Sequence, residues 1–221
     1  MAIVKKHDFV EIEYTGSIKE GNAVFDTTDE KVARENDVYS KGAEYSPVVI
    51  CVGENSILKG LEDQMIGKET EKEHTFEIGS ENAFGRKDAK LIRMISMGKF
   101  RQQRIQPVPG LQLNIDGVFG IVKTVSGGRC LVDFNHPLSG KDLVYKVNIN
   151  RIISDDREKL ASLLKTHIGV KDAEIELKEG NAEIKLKYPI PKHAEEEFKK
   201  IAGRIIPGIK GVSFTIAEGK K

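Results

Sequence analysis

Residues with strong intrinsic chemistry are few in this chain, and they lie far apart. The two cysteines, Cys51 and Cys130, each sit among apolar neighbours, which is typical of buried free thiols in a reducing compartment. A disulfide or a shared metal is the alternative interpretation of this pair. The histidines lack the spacing of metal ligands, so we expect no metal site at His7, His74, His136, His167 or His193.

Four short blocks stand out because they combine aromatic, aliphatic and acidic residues in a fixed order. They occupy residues 13–16 (EYTG), 24–28 (VFDTT), 52–62 (VGENSILKGLE) and 82–85 (NAFG). Taken alone, Tyr14 and Phe25 would be ordinary core residues, and Asp26 would be a turn or cap residue. Taken together, the blocks resemble the ordered motifs of the FK506-binding-protein (FKBP) family of peptidyl-prolyl isomerases. Residues 143–147 (LVYKV) resemble the last core strand of that family.

The resemblance implies a pocket that holds a prolyl ring and speeds cis–trans isomerisation of the X–Pro bond. Amide resonance sets a rotation barrier of about 20 kcal/mol, and water stabilises the planar, charge-separated form. A dry, apolar cradle removes that support, so no nucleophile, metal or cofactor is required. The Leu58 N–H would donate to a substrate carbonyl, and Asp26 would face the twisting amide. The family pattern implies these catalytic residues: Tyr14, Phe25, Asp26, Ile57, Leu58, Leu61, Phe84 and Tyr145.

Three pocket positions depart from the usual family pattern. Leu61 stands where many members have tryptophan, and Phe84 stands where they have tyrosine. Val48, a predicted substrate contact, replaces a common aromatic residue. The cradle stays apolar, so we expect isomerisation to persist. Because aromatic area and a phenolic hydrogen bond are lost, we do not expect tight binding of FK506-type macrolides.

The segment 86–135 has a different texture, rich in isoleucine, valine, phenylalanine and glycine and punctuated by turn signals. Its position resembles the insert-in-flap domain of SlyD-like and archaeal FKBPs, and residues 135–141 resemble the flap itself. The resemblance implies a chaperone (holdase) function, with His136 and Leu138 over the substrate. A further apolar stretch is predicted to bind clients, or alternatively to form the core of the insert: Leu91, Ile92, Met94, Ile95, Met97 and Phe100.

These motifs must be held in place by an α+β fold. Apolar and charged residues alternate over 10–14, which predicts a half-buried strand, whereas Leu58, Leu61 and Met65 share one face of a short helix. A β segment before the insert and another after it indicate one host domain split by a guest. We therefore predict an FKBP-like antiparallel sheet wrapped on a short helix, a small β insert domain in the flap, and a C-terminal α-β-β-α-β domain.

The chain is predicted to contain three domains. The FKBP domain comprises 1–85 and 136–153, the insert comprises 86–135, and the C-terminal domain comprises 154–221. The last domain fits the longer archaeal FKBPs, and its short strands leave sheet edges that a second copy could cover. A homodimer through this domain, packing on the FKBP domain and client binding are open alternatives. The polar segment 28–47 receives no role.

Composition narrows the class of function. The chain has 221 residues and a net charge of +1 with both signs interspersed, which argues against a nucleic-acid binder. No apolar stretch is long enough for a transmembrane helix, and the first residues lack the apolar segment of a secretory signal, so we expect a cytoplasmic protein. The expected partners are unfolded or partly folded proline-containing polypeptides. The alternative function is a non-catalytic chaperone or peptide-binding module that kept the FKBP fold.

Overall fold

The structure is a computed structural model that describes residues 1–216, and it contains two compact units. The first unit comprises Met1–Ile78 and the chain from Leu143 onward, and the second unit is Gly79–Asp142. The strands are β1 Phe9–Ile18, β2 Val24–Thr27, β3 Val48–Cys51, β4 Lys72–Ile78, β5 Ile92–Ser96, β6 Gln112–Ile115, β7 Val118–Ser126, β8 Arg129–Asp133, β9 Leu143–Ile152, β10 Glu174–Lys178, β11 Asn181–Leu186 and β12 Gly211–Ile216. The helices are α1 Glu30–Glu35, α2 Lys59–Met65, α3 Met97–Gln102, α4 Asp156–Leu163 and α5 Lys192–Ile205.

The first unit is built on a five-stranded antiparallel sheet in the order β2-β1-β9-β4, with β3 also paired to β1. Strand β9, which follows the second unit in the chain, lies between β1 and β4. The alternation over 10–14 does form a strand, and Val10 and Ile12 are fully buried. Helix α2 buries Leu61 and Met65 and contacts β4. The predicted α+β fold, a sheet wrapped on a short helix, is confirmed.

The C-terminal segment has the predicted order of elements, α-β-β-α-β. Strands β10 and β11 form an antiparallel hairpin, and β12 adds to β11 in parallel. The hairpin turns at Glu179 and Gly180, both with positive φ. Glycine is required at 180 because a Cβ atom there would lie 2.8 Å from the carbonyl oxygen of Gly208. Helix α4 continues into a π-helical turn, Leu164–Ile168.

The C-terminal segment and the first sheet share one hydrophobic core. Phe9, Cys51 and Ile153 belong to the same buried cluster as Leu160 of α4 and Phe198 of α5. This continuity agrees with the alternative in which the C-terminal segment packs on the FKBP domain, and it explains why both fall into one compact unit. The division into three domains at the predicted boundaries stays a prediction.

The second unit is a four-stranded antiparallel sheet in the order β5-β8-β7-β6, closed on one side by α3. Its core contains Phe100, Val122, Cys130 and Val132, with Met97 packed against it. Phe100 is 1% exposed, so the prediction that it contacts clients is wrong for this structure. Its ring packs in the core of the unit with Val122 and Val132, which is the alternative role considered for this stretch.

The state of the two cysteines and the length of the helices bear on where the protein can reside. Cys51 and Cys130 are both buried and both free. Burial raises the pKa of the Cys51 thiol to about 12, so the reactive thiolate is disfavoured at neutral pH. Within residues 1–216, every helix is too short or too polar to cross a bilayer.

Candidate functional site

Three aromatic rings from three strands meet in the first unit. Tyr14 of β1 and Tyr145 of β9 have ring centroids 5.9 Å apart, and Phe25 of β2 meets Tyr145 edge to face at 5.8 Å. Gly16 makes this possible, because a Cβ atom there would lie 2.8 Å from the Phe25 ring and 2.9 Å from the Tyr145 ring. We call these three rings the aromatic cup. They come from residues far apart in sequence, and the strand pairing of β1 with β2 and β9 brings them together.

A hydrogen bond joins the aromatic cup to the predicted acidic residue. The Tyr14 hydroxyl donates to Asp26 Oδ2 at 2.9 Å. Burial, together with the negative charge of Asp26, raises the pKa of Tyr14 far above its ordinary value. The same two causes, burial first, raise the pKa of Tyr145 to about 12. Both phenols therefore remain neutral and able to donate a hydrogen bond across the physiological pH range.

A cavity of about 280 Å³ opens beside Tyr14, Phe25, Asp26 and Val48. Its remaining wall contains Thr27 and Thr28 and residues from the polar segment that follows, and that segment had received no role. The residues from the segment are Val38, Ser40, Ala43, Glu44 and Tyr45. Sequence reasoning missed them, although two tyrosines in an otherwise polar loop were a usable signal.

The remaining predicted residues of the first unit lie around helix α2. Leu61 is 1% exposed, whereas Ile57 and Leu58 are half-buried. Leu58 is the N-cap of α2, a position at which the backbone N–H lies outside the hydrogen bonds of the helix. Together with Tyr145, these residues are not part of the lining of the 280 Å³ cavity.

The loop before α2 is held by a carboxylate that the sequence did not single out. Glu62 is fully buried and accepts hydrogen bonds from three backbone N–H groups. The donors are Gly53 at 2.7 Å, Asn55 at 3.1 Å and Ile57 at 2.9 Å. Hydrogen bonds of this charge-assisted kind are about twice as strong as neutral ones. Glu62 thus fixes the backbone that presents Ile57.

The predicted flap residues come together in the second unit. The rings of Phe84 and His136 stack with centroids 4.4 Å apart and an interplanar angle of 3°. Ser139 Oγ donates to the Phe84 carbonyl at 3.0 Å, and the Leu138 N–H donates to His136 Nδ1 at 3.2 Å. His136 is exposed and Leu138 is half-buried. The two ends of the insert are therefore locked together at the flap.

An ion pair between a buried carboxylate and a partly exposed lysine lies next to the flap. Lys87 Nζ is 2.8 Å from Asp133 Oδ2, and Asn135 donates to Asp133 Oδ1 from both its backbone and its side chain. Burial alone would raise the pKa of Asp133, but these partners outweigh it and lower the pKa to about 2. This ion pair was not predicted from the sequence.

The apolar stretch predicted to bind clients divides between surface and core. A cavity of about 490 Å³ in the second unit is lined in part by Leu91, Met94 and Ile95. Met94 is 67% exposed, and Ile92 is half-buried on the same strand. Met97, like Phe100, packs in the core of the unit. The other residues that line this cavity are Arg93, Ser96, Lys99, Ile115, Asp116, Val118 and Phe134.

Among residues 1–216, no group of three or more His, Cys, Asp or Glu side chains is arranged to hold a metal ion.

Comparisons with known proteins point to one family. Residues 2–100 match the FKBP-type peptidyl-prolyl cis-trans isomerase family, and residues 93–138 match the family described as FKBP26, IF domain. A short-type peptidyl-prolyl cis-trans isomerase of Methanocaldococcus jannaschii is 31% identical over 150 residues, 68% of this chain and 94% of the relative. An FKBP-type 16 kDa isomerase of Escherichia coli is 27% identical over 48% of this chain and 74% of its own.

The isomerase SlyD of Helicobacter pylori is 23% identical over 52% of this chain and 63% of its own length. The two family models together match residues 2–138, which includes most of the second unit. The Methanocaldococcus jannaschii relative is matched over nearly its whole length at substantial identity. This chain therefore belongs to the family of FKBP-type peptidyl-prolyl cis-trans isomerases.

Proposed function

We propose that this peptidyl-prolyl isomerase seats the proline ring of its polypeptide substrate against the aromatic cup formed by Tyr14, Phe25 and Tyr145. The observation that carries the proposal is the close meeting of these rings around Gly16, with Asp26 bound to the Tyr14 hydroxyl. Both phenols are held neutral, so neither supplies an ionised nucleophile. None is needed for this reaction. The chemistry is rotation about an amide bond, without bond cleavage.

The cup acts by withholding water from the substrate amide. In water, hydrogen bonds to the carbonyl oxygen favour the planar amide, and the barrier to rotation is about 18–20 kcal/mol. Against apolar rings the amide loses those bonds, so the twisted state becomes cheaper relative to the planar one. Each reduction of ~1.4 kcal/mol speeds the reaction about tenfold. Stabilisation that grows towards the twisted state raises the rate, whereas uniform binding does not.

The residues around α2 complete the proposal. Leu58, at the N-cap, offers its backbone N–H to a substrate carbonyl other than that of the twisting X–Pro amide. Ile57 precedes it in the chain, and the buried Leu61 donates its backbone N–H to the Leu58 carbonyl at 2.8 Å. Glu62 keeps this backbone in place through its three hydrogen bonds. Val48 contributes the apolar side of the neighbouring cavity.

Phe84, His136 and Leu138 are proposed as the substrate contacts of the second unit. The support is the face-to-face stacking of the Phe84 and His136 rings, which holds the exposed imidazole in place. A fixed ring face of this kind suits contact with the chain that flanks a proline. The role of each of these side chains rests on the resemblance of the flap.

Prolyl-peptide exchange measured by NMR tests the aromatic cup. Phe25→Ala is expected to lower kcat/KM by about tenfold or more, because a third of the cup is removed. Tyr188→Ala is the matched control, since Tyr188 is a tyrosine of the C-terminal segment that is 79% exposed. Loss below twofold in Phe25→Ala would overturn the proposed site. No turnover by the intact chain would instead favour a peptide-binding module without catalysis.

We also propose that the second unit holds unfolded clients at its 490 Å³ cavity. Strand β5, which carries Met94 and Ile95, is an edge of its sheet. An edge strand can add an extended peptide through backbone hydrogen bonds, while a flexible methionine adapts to different side chains. A client held there stays in the same molecule as the cup, which raises the effective concentration of its prolines.

Suppression of aggregation of a reduced, unfolded protein tests this holding activity. Met94→Asp is expected to weaken suppression severalfold while leaving the isomerisation of a short peptide unchanged. Val108→Asp is the control, since Val108 is 51% exposed in the same unit and is not among the residues that line the cavity. Equal suppression by the parent chain and Met94→Asp would remove the cavity as the client site.

A homodimer through the C-terminal sheet is the third proposal. Strands β10 and β12 are the edges of that sheet, and Ile216 on β12 is 52% exposed. Pairing with a second copy would cover such an edge. Light scattering is expected to give twice the chain mass, and Ile216→Lys is expected to reduce it. A monomeric parent chain would end this proposal.

We place the protein in the cytoplasm. The support is chemical, because two buried thiols that remain free are typical of a reducing compartment. Fractionation of the source cells would test this, and recovery of the chain outside the cytoplasm would contradict it.

A further inference from the structure

The polar segment between β2 and β3 contains a compact loop, residues 38–45, that forms one wall of the cavity beside the aromatic cup. Inside the loop, Tyr39 and Tyr45 stack with centroids 5.5 Å apart, and the Tyr45 hydroxyl accepts from the Ser40 N–H at 2.8 Å. The Arg34 guanidinium lies 3.7 Å from the centroid of Tyr39. These contacts shape the loop and attach its first residues to α1. They do not involve Glu44, near the other end of the loop.

Glu44, near the end of the loop, is bound by the C-terminal segment. Glu44 Oε2 lies 2.9 Å from Lys165 Nζ and 3.3 Å from Lys171 Nζ. The two lysines, Lys165 first, lower the pKa of Glu44 below its ordinary value, so the carboxylate is charged at neutral pH. Lys165 belongs to the π-helical turn after α4, and Lys171 follows it. The loop and its anchors are separated by more than a hundred residues of sequence.

A second attachment lies on the other side of β3. The Arg204 guanidinium, in the last turn of α5, donates to both oxygens of Glu54 at 2.9 and 2.5 Å. The side chain of Glu54 is only 8% exposed, and His7 also contacts it at 3.0 Å. Bidentate Arg–carboxylate pairs fix direction as well as distance. Glu54 lies in the loop that Glu62 binds from the inside, so this loop is held from both sides.

The third attachment is to β3 itself, where Ser162 Oγ of α4 donates to the Val49 carbonyl at 2.6 Å. The C-terminal segment therefore contacts the chain at three places: before β3, on β3 and after β3. Of the two loops that it contacts, the loop 38–45 forms the cavity wall, and the loop that contains Glu54 leads to Ile57 and Leu58. Dimerisation alone would not account for these contacts, which all lie within one chain.

We infer that the C-terminal segment positions the two loops that shape the prolyl site, through Lys165 and Lys171 acting on Glu44 and through Arg204 acting on Glu54. The three basic residues are positioning residues, since they act through the loops rather than on the substrate. This inference rests on the proposed function for its catalytic consequence. Its structural content, that the loop 38–45 is ordered by the two lysines, can be measured without any activity.

The test uses the full chain with Lys165→Ala and Lys171→Ala combined. Hydrogen–deuterium exchange of residues 38–47 is expected to become faster. The KM for a short proline peptide is expected to rise about threefold to tenfold, the scale of effect expected when surface ion pairs are lost, with kcat within about twofold. Lys187→Ala is the control, because Lys187 pairs with Asp172 at 3.0 Å within the C-terminal segment.

Charge reversal separates positioning from general stability. Glu44→Lys alone is expected to behave like the lysine variants, and adding Lys165→Glu with Lys171→Glu is expected to restore slow exchange and the parent KM. A merely structural effect would lower the melting temperature without separating KM from kcat, and would not be rescued. Unchanged exchange over 38–47 in the lysine variants overturns the inference. An inactive parent chain overturns the proposed function, while the exchange data still decide this inference.

Discussion

Replacing Gly16 by alanine should damage the prolyl site more than it damages the fold. The new Cβ atom would lie 2.8 Å from the Phe25 ring and 2.9 Å from the Tyr145 ring. The first distance is roughly 0.7 Å shorter than the ~3.5 Å at which carbon atoms pack comfortably. Gly16 lies on a strand and does not have positive φ, so the backbone itself accepts alanine.

The structure indicates which ring will move. Tyr145 is 5% exposed on β9, which is paired on both sides, whereas Phe25 is half-buried on the four-residue edge strand β2. Phe25 therefore yields, and the aromatic cup opens. Overpacking costs about 1–3 kcal/mol, and replacing a strand glycine returns roughly 0.5–1 kcal/mol of that. Stability should fall by at most about 2.5 kcal/mol, but a ring displaced by a large fraction of an ångström lowers kcat/KM by about 10- to 100-fold.

The assay is NMR exchange on a short proline peptide, combined with urea unfolding of the same samples. Gly120→Ala is a matched control in the second unit, because a Cβ atom there would lie 2.8 Å from Val132 and 2.9 Å from the Phe134 ring. It should lose similar stability and keep its peptide activity. If Gly16→Ala kept its kcat/KM, or if Gly120→Ala lost as much, the assignment of the cup as the prolyl seat would be refuted.

Three further predictions concern polar groups. Tyr14→Phe removes the 2.9 Å bond to Asp26 and should lower kcat/KM by about three- to tenfold in the same exchange assay, with little change in the urea midpoint; unchanged activity would make that bond dispensable. Glu62→Gln replaces one of the two acceptor oxygens by an NH2 donor that must face backbone N–H groups. It should cost about 2–3 kcal/mol in urea unfolding, whereas a loss below about 0.5 kcal/mol would contradict its anchoring role. Because the folded pKa of Asp133 lies at about 2 rather than at its ordinary 3.8, its ion pair with Lys87 stabilises the second unit above pH 3.8, and this is lost as pH falls towards 2. Asp133→Asn should remove that part of the acid sensitivity, read from amide exchange of residues 79–142, and identical pH profiles would contradict it.

The parts of the fold that follow from local pattern could be predicted. Alternation identified β1, helical spacing identified α2, and a turn signal identified the hairpin of β10 and β11. The ordered blocks located the residues of the aromatic cup, because their family pattern encodes strand partners that lie far apart. Phe100 could not be assigned by such means, since an apolar stretch looks the same whether it faces a client or its own core.

The shape of the loop that forms the cavity wall could not be predicted for a different reason. The loop 38–45 takes its shape from a stacked pair of tyrosines and from Glu44, whose partners lie in the C-terminal segment. Contacts at such sequence separation leave no periodicity to read. Glu62 was hidden in the same way, because a glutamate within a short helix looks like an ordinary surface residue until the loop folds over it.

The position of β9 between β1 and β4 has a consequence for how the chain is made. Its residues follow the whole of the second unit, so the first 78 residues leave the ribosome without the strand that joins their sheet. The inserted unit, with all its strands contiguous, can finish first, and the host sheet then closes by pairing across more than a hundred residues. Long-range pairing of this kind is slow and leaves apolar strands uncovered meanwhile. This chain is therefore prone to aggregation during its own synthesis, until β9 has been made. Truncation before Leu143 should yield a chain that aggregates.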